Sequence, residues 1–276
     1  MFQVFRKREM YAKQRLLSVP LTILLVVAVC TVLAFTPVVR VAVHISEDIA
    51  SAIDPSVMRA SRYGERHLNS RKAIFYDIAR AEKFYREAVE LDATYPYVRY
   101  QLARIEFLKG NLNTALYHIN KEIELHGTNE PNAYYVRGLI EGYLGRYDDA
   151  IRDYEHYLEF DPTNWAATND YAWVLLKAGR ANDAIIATAS GLQHFPENPW
   201  LLNTNATALY ESGLYKEASI VARHAAEQSM FLTEEGWLQA YPGNAPTTAT
   251  EGIVTLQRSI AHNRFLIDKV TSGQAR

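Results

Sequence analysis

Cysteine is nearly absent from this chain of 276 residues: the one present, Cys30, lies inside an apolar run. No intramolecular disulfide can form and no zinc site can be built from thiolates. Excess charge is missing as well. Twenty-nine Lys and Arg stand against 31 Asp and Glu, and beyond the N-terminus the two signs are interleaved, so no global field recruits nucleic acid. The signatures of catalysis are not there either: no G-x-S-x-G, no H-E-x-x-H, no P-loop and no G-x-G-x-x-G. The eight histidines are scattered, and His118, His156 and His224 read as members of solvated helix faces. The carboxylate pairs Asp148-Asp149 and Glu234-Glu235 fall at helix starts, where they complement the helix dipole without any chemistry. The chain is read as non-enzymatic, with no catalytic residue, cofactor or metal.

What the chain does have is a period. Gly110, Gly145, Gly179 and Gly213 are spaced by 35, 34 and 34 residues. Five residues after each comes Ala115, Ala150, Ala184 or Ala218, and seven before each comes Ala103, Gly138, Ala172 or Ala206. Asp161-Pro162 and Phe195-Pro196 close two of the units. A fixed repeat of this length should be sought before anything else, because it decides the fold. The physics is that of a helical hairpin. The glycine reverses the chain at a left-handed position, the small residues let the paired helices approach, and the proline stops the second helix. In the stretch from Tyr134 to Pro162, Tyr134, Tyr147, Tyr154 and Leu158 fill the space around the small positions. Glu106 and Glu141, four places before a turn glycine, read as surface-facing or locally paired charges, with Arg137 one turn from Glu141 as a partner.

On these residues the chain resembles the tetratricopeptide repeat (TPR) family over roughly residues 96–232. Upstream, Ala81, Tyr85, Ala88 and Leu91-Asp92 match a second helix in phase, but Tyr76 stands where the turn glycine belongs, so this unit is degenerate. The family pattern also usually has a large apolar residue where Glu106 and Glu141 stand. The resemblance implies an all-α solenoid of antiparallel helix hairpins whose first helices line a concave groove for peptides or partner helices. Residues 63–232 form that solenoid, with units near 96–130, 131–164, 165–198 and 199–232 after the degenerate first one. A repeat stack needs an atypical terminal unit to cover its open face. Residues 233–276 are read as that helical cap, with a Pro-Gly-Asn-Ala-Pro loop at 242–246 and an apolar stripe of Ile253, Leu256, Ile260 and Leu266-Ile267.

The N-terminus adds a second theme. Residues 1–15 carry Arg6, Lys7, Arg8, Lys13 and Arg15, and Leu16 to Val39 then runs without a charge. Those 24 residues would span about 36 Å as a helix, enough for a hydrocarbon core of about 30 Å. The segment 16–44 is read as a single transmembrane helix and 45–62 as a polar connector, in which Ser46-Glu47-Asp48 cap a short helix ended by Asp54-Pro55. Cleavage at Ala50-Ser51-Ala52 is the alternative. A lipoprotein signal is disfavoured because Val29 precedes Cys30. The basic flank stays cytoplasmic, which puts the N-terminus inside and the repeats on the outer, periplasmic side of the inner membrane.

Helical spacing assigns the face opposite the small positions to the groove. It carries Tyr100, Arg104 and Phe107 in one unit, then Tyr135, Leu139 and Tyr143, then Asn169, Trp173 and Lys177, then Asn203, Thr207 and Tyr210. Tyr97 and Trp200 stand at its rim. Rings give contact area and amides hydrogen-bond a peptide backbone. Of these, Tyr100, Arg104, Phe107, Tyr135, Leu139, Tyr143, Asn169, Trp173, Asn203 and Tyr210 are taken as partner-binding. The Lys/Asn/Arg clamp by which chaperone adaptors of the family grip a C-terminal carboxylate is absent except for Arg104, since Val136, Ala166 and Asp170 fill its other places. The expected function is a membrane-tethered scaffold or assembly factor that binds a protein or extended peptide within a larger envelope complex. An accessory subunit of a membrane translocase or enzyme is the alternative.

Overall fold

The computed structural model describes residues 36–127 and 130–272. They fall into two compact units that divide between Pro55 and Ser56. The first contributes helical residues 36–53, designated α1. The expected connector from residue 45 is thus helical, and Ser46 caps nothing: its hydroxyl donates to the Val43 carbonyl one turn back, at 2.8 Å. Asp54-Pro55 does end α1, because proline cannot continue the hydrogen-bond ladder and disfavours helix in the residue before it. Among the described residues no helix is long and apolar enough to cross a membrane. Residues 16–35, most of the expected span, lie outside the described residues.

The second unit is built of paired helices. They are α2 (Val57–Leu68), α3 (Ile78–Leu91), α4 (Val98–Leu108), α5 (Leu112–His126), α6 (Pro131–Tyr143), α7 (Tyr147–Phe160), α8 (Trp165–Lys177), α9 (Ala181–His194), α10 (Pro199–Glu211), α11 (Tyr215–Ser229), α12 (Glu234–Ala240) and α13 (Ala249–Thr271), with a 3-10 turn at Pro246–Thr248 before the last. The first hairpin therefore starts at Val57, earlier than the sequence pattern suggested. Its linker, residues 69–77, replaces the glycine turn, and Asp77 closes it by accepting the Arg80 N–H at 3.1 Å to cap α3.

Four of the hairpins share one corner. Gly110, Gly145, Gly179 and Gly213 have φ of +79°, +77°, +74° and +79°. In each, the glycine N–H donates to the carbonyl three residues back and the next N–H reaches the carbonyl five back, as in Gly145 to Gly142 and Arg146 to Glu141. The left-handed backbone is what demands glycine, since nothing lies near where a Cβ would sit. The small positions work by packing instead. Ala103, Ala172 and Ala206 have no exposed surface. A Cβ on Gly138 would stand 3.3 Å from the Ala150 carbonyl and from the Tyr154 ring. Tyr154 itself is fully buried, in a core with Ala150, Ala172, Val174, Leu175 and Ala184.

Three side chains expected in solvent are buried, although one of them, Glu106, is paired as the alternative reading had it. His118 is only 7% exposed, because α5 turns it inward; burial, with Arg99 and Arg86 nearby, lowers its pKa. Glu106 and Glu141 are both buried between helices. Glu106 is held by Arg86 at 2.7 Å, Asn111 at 2.7 Å and Lys109 at 3.4 Å. Arg137 does not serve Glu141: it makes two 2.7 Å bonds to Asp153 across the hairpin.

The chain ends by doubling back. Helix α13 lies on the open side of the last full hairpin, where Ile267 joins Ala206, Leu209, Ala218 and Ala222, and Ile260 joins Leu202 and Ala225. That covers apolar surface which a further hairpin would otherwise occupy.

Candidate functional site

The first helices α4, α6, α8 and α10 stand side by side, and their inner faces bound a cavity of about 480 Å³. Eight of the ten residues assigned to partner binding line it: Tyr100, Arg104 and Phe107 from α4, Tyr135, Leu139 and Tyr143 from α6, and Asn169 and Trp173 from α8. The spacing explains why. Residues four and seven apart on a helix share a face, and the hairpin period repeats that face from one first helix to the next. The rings touch along the row. Phe107 and Tyr143 meet edge to face at 5.2 Å, and Tyr143 and Trp173 lie 5.4 Å apart.

Asn203 and Tyr210 do not line the cavity. The Asn203 amide oxygen accepts from Asn263 of α13 at 3.1 Å, and Tyr210 packs with the Ile267 cluster and against Tyr215 at 5.5 Å. Helix α13 takes the end of the face that a strictly repeating stack would leave open. Period alone could not reveal this, because the covering helix lies outside the repeat.

The cavity also holds Trp165, which the groove assignment left out, and Trp200, which it put at the rim. Trp165 and Trp200 sit 5.1 Å apart, and Trp200 is buried rather than at a rim. Its indole N–H donates to the Tyr241 hydroxyl at 2.9 Å, and the Tyr241 ring lies tilted against Trp237 at 4.9 Å. From there the chain crosses to the opposite end of the stack. The Pro242 carbonyl accepts from the Arg104 guanidinium at 2.8 Å, and the Gly243 carbonyl accepts from the Tyr76 hydroxyl at 2.7 Å. Gly243 has φ +97°, a conformation that glycine adopts without strain. Residues 240–244 thus roof the cavity from the α10 side to the α4 side. The only sequence hint was the Pro-Gly-Asn-Ala-Pro composition, which marks a loop but not its destination.

Polar groups on the wall are few. Asn169 accepts from Thr204 at 2.8 Å. Arg104 also donates to Gln101 at 2.8 Å and lies over the Tyr100 ring at 5.8 Å. Asp170 accepts from the Tyr135 hydroxyl at 2.9 Å, and burial pushes its carboxyl up to about 6 despite that bond. Burial likewise raises the phenols of Tyr100, Tyr135, Tyr143 and Tyr241. Among the described residues no three of His, Cys, Asp and Glu converge as a metal site would require.

Comparison with known proteins agrees with this architecture. Residues 131–164 match one tetratricopeptide repeat family model and residues 153–186 match another. A crystal structure of MamA superposes with a TM-score of 0.54 at 19% identity, covering 63% of this chain and 92% of that one. YrrB, a TPR protein with an unusual peptide-binding site, superposes at 0.55 with 15% identity, covering 66% of this chain and 91% of its own. The fold is the tetratricopeptide solenoid. A double mutant of MamA aligns at 0.56 with 16% identity, over 63% of this chain and 94% of that chain. No curated protein sequence matches the chain. At these identities the TPR likeness speaks for the fold and leaves the ligand to be argued from the site.

Proposed function

We propose that this TPR solenoid is a protein-interaction scaffold whose ring-lined concave face holds an extended segment of a partner protein. The observation that carries the reading is the continuous aromatic row of Phe107, Tyr143 and Trp173 along three successive first helices. Such a row offers large, rigid contact area at low entropic cost, and hot spots of binding are enriched in these residue types. YrrB, of similar fold, is described as having a peptide-binding site, which favours the same use of the face here. The sequence adds a tether to this reading. The basic residues 1–15 and the uncharged run from Leu16 to Val39 would anchor the chain in the inner membrane with the repeats outside and the N-terminus cytoplasmic.

Two experiments address these statements. A photo-crosslinking amino acid at Leu139, which faces the cavity, should capture a partner in native membranes. Trp173→Ala and Tyr135→Ala should each reduce that capture at least about tenfold, the scale of a hot-spot loss, with far-UV circular dichroism unchanged. Capture that survives both substitutions would place the partner elsewhere. Deleting residues 1–35 should move the protein from the membrane pellet to the supernatant after carbonate washing; a deletion mutant that stays in the pellet would refute the tether.

A further inference from the structure

We infer that the cavity beneath residues 240–244 receives a cationic side chain, a lysine ammonium presented by the bound partner peptide, with Asp170 as its counter-charge. This rests on the peptide-binding reading above and names the chemistry that the peptide must bring.

The argument starts from an unbalanced carboxylate. Ion pairs satisfy two of the carboxylates buried at the hairpin contacts: Asp153 by two bonds from Arg137, Glu106 by Arg86 and Lys109. Asp170 has no such partner among the described residues. One oxygen accepts from Tyr135 at 2.9 Å and the other makes a long 3.4 Å contact with the Asn169 amide. An ionised carboxylate offers about four acceptor sites, so about half its capacity is open, and Asp170 belongs to the cavity wall. The one cation among the cavity's lining residues is engaged: Arg104 is tied to Gln101 and Pro242. A charge left this way is kept only where something compensates it, or it is protonated.

The walls suit a cation too. The wall phenols of Tyr135, Tyr143 and Tyr241 all lie close enough to feel the Asp170 charge. The Trp173 ring already attracts one ammonium from its own helix. Aromatic faces attract ammonium groups most strongly where water is excluded, and the apolar stem of a lysine would lie along the same rings. An anionic or purely apolar occupant would leave Asp170 as it is, so charge complementarity selects the cation.

The test uses the full-length protein and two small probes, Nα-acetyl-lysine methylamide and Nα-acetyl-norleucine methylamide, titrated against the indole N–H resonances of Trp165, Trp173 and Trp200. The lysine probe should shift them at least about tenfold more tightly than the norleucine probe, the range of a partly desolvated cation contact. Asp170→Asn, which keeps an acceptor for Tyr135, should abolish the preference. Lowering the pH from 7.5 to 5 should weaken the lysine probe about tenfold as Asp170 takes a proton, and should leave the norleucine probe unchanged. The other titratable or charged groups lining this space are Tyr100, Arg104, Tyr135, Tyr143 and Tyr241. Burial holds these phenols above their usual range, and arginine stays charged, so only Asp170 changes state in that window.

Equal affinity for the two probes, no binding of either, or a lysine preference that survives Asp170→Asn would each overturn the inference. If it fails while crosslinking at Leu139 still depends on Trp173, the groove reading stands and only the cation is wrong. If the lysine probe binds as described while crosslinking is indifferent to Trp173, the cation site stands without the groove.

Discussion

Gly252→Ala should lower the melting temperature by about 5–10 °C, the equivalent of about 2–3 kcal/mol for a chain of this size. A Cβ at this position would lie 2.2 Å from Trp237 Cε2, 2.3 Å from Cζ2 and 2.5 Å from Nε1. No side chain tolerates that, so the indole must leave its place. Trp237 is packed with Ala249 and Trp200 and touches the Tyr241 ring. Moving it therefore disturbs the hydrogen bond that Tyr241 receives from Trp200, and with it the roof of the cavity. Thermal unfolding followed by circular dichroism reads the first effect, and the fluorescence of Trp200 and its neighbours reads the second. Gly236→Ala is the control. Its Cβ would meet only Thr233 Oγ1, at 3.3 Å, and alanine is the better helix former by about 1 kcal/mol, so this variant should be neutral or slightly stabilised. A Gly252→Ala protein that melts like the parent would show that the indole is not wedged as described.

Glu141→Leu should do the opposite and stabilise the protein, by about 1–3 kcal/mol at pH 8. Glu141 Oε2 is buried without a hydrogen-bond partner. Burial first, and then the charge of Asp153, push its carboxyl up to about 7, against the pull of Arg137. The unfolded chain releases this proton near 4.5. Between those values the folded state holds more protons than the unfolded one, so stability falls as pH rises through the window. Above about 7 the full cost of a buried charge is present; below 4.5 none of it is. The gain from leucine should accordingly be largest at pH 8 and shrink towards pH 5, which melting curves at the two values would reveal. Glu106→Leu, at the same place one unit earlier, should destabilise, because Arg86, Lys109 and Asn111 all bond that carboxylate. A gain at Glu141 that does not depend on pH would assign the effect to packing rather than charge.

The two glutamates show where sequence reading stops. Their spacing from the turn glycine put them at an apolar position of the pattern, and that was visible. Whether each would be turned outward, paired or buried depended on Arg86 and on Asp153, which the fold brings up from other helices. The corners were legible for the opposite reason: a left-handed residue at the end of a helix is a local demand, and glycine at four evenly spaced sites answers it without help from elsewhere. The groove lay between these cases. Tyr135, Tyr143 and Trp173 follow from helical periodicity and reach the cavity. Asn203 and Tyr210 obey the same periodicity but meet α13, an element that no repeat foretells. Asp170 was noticed only as a misfit to a carboxylate clamp. Its isolation becomes evident once Tyr135, Asn169 and the returning tail are placed around it.

That returning tail changes the mechanics of the molecule. Repeat stacks ordinarily melt from their ends, because each terminal unit has a neighbour on one side only. Here Tyr76 and Arg104 grip carbonyls 167 and 138 residues further along the chain, and the two ends are fastened like the clasp of a bracelet. Parting residues 242–243 from the first hairpins must undo that clasp. During synthesis the early hairpins wait for it until Gly243 has left the ribosome.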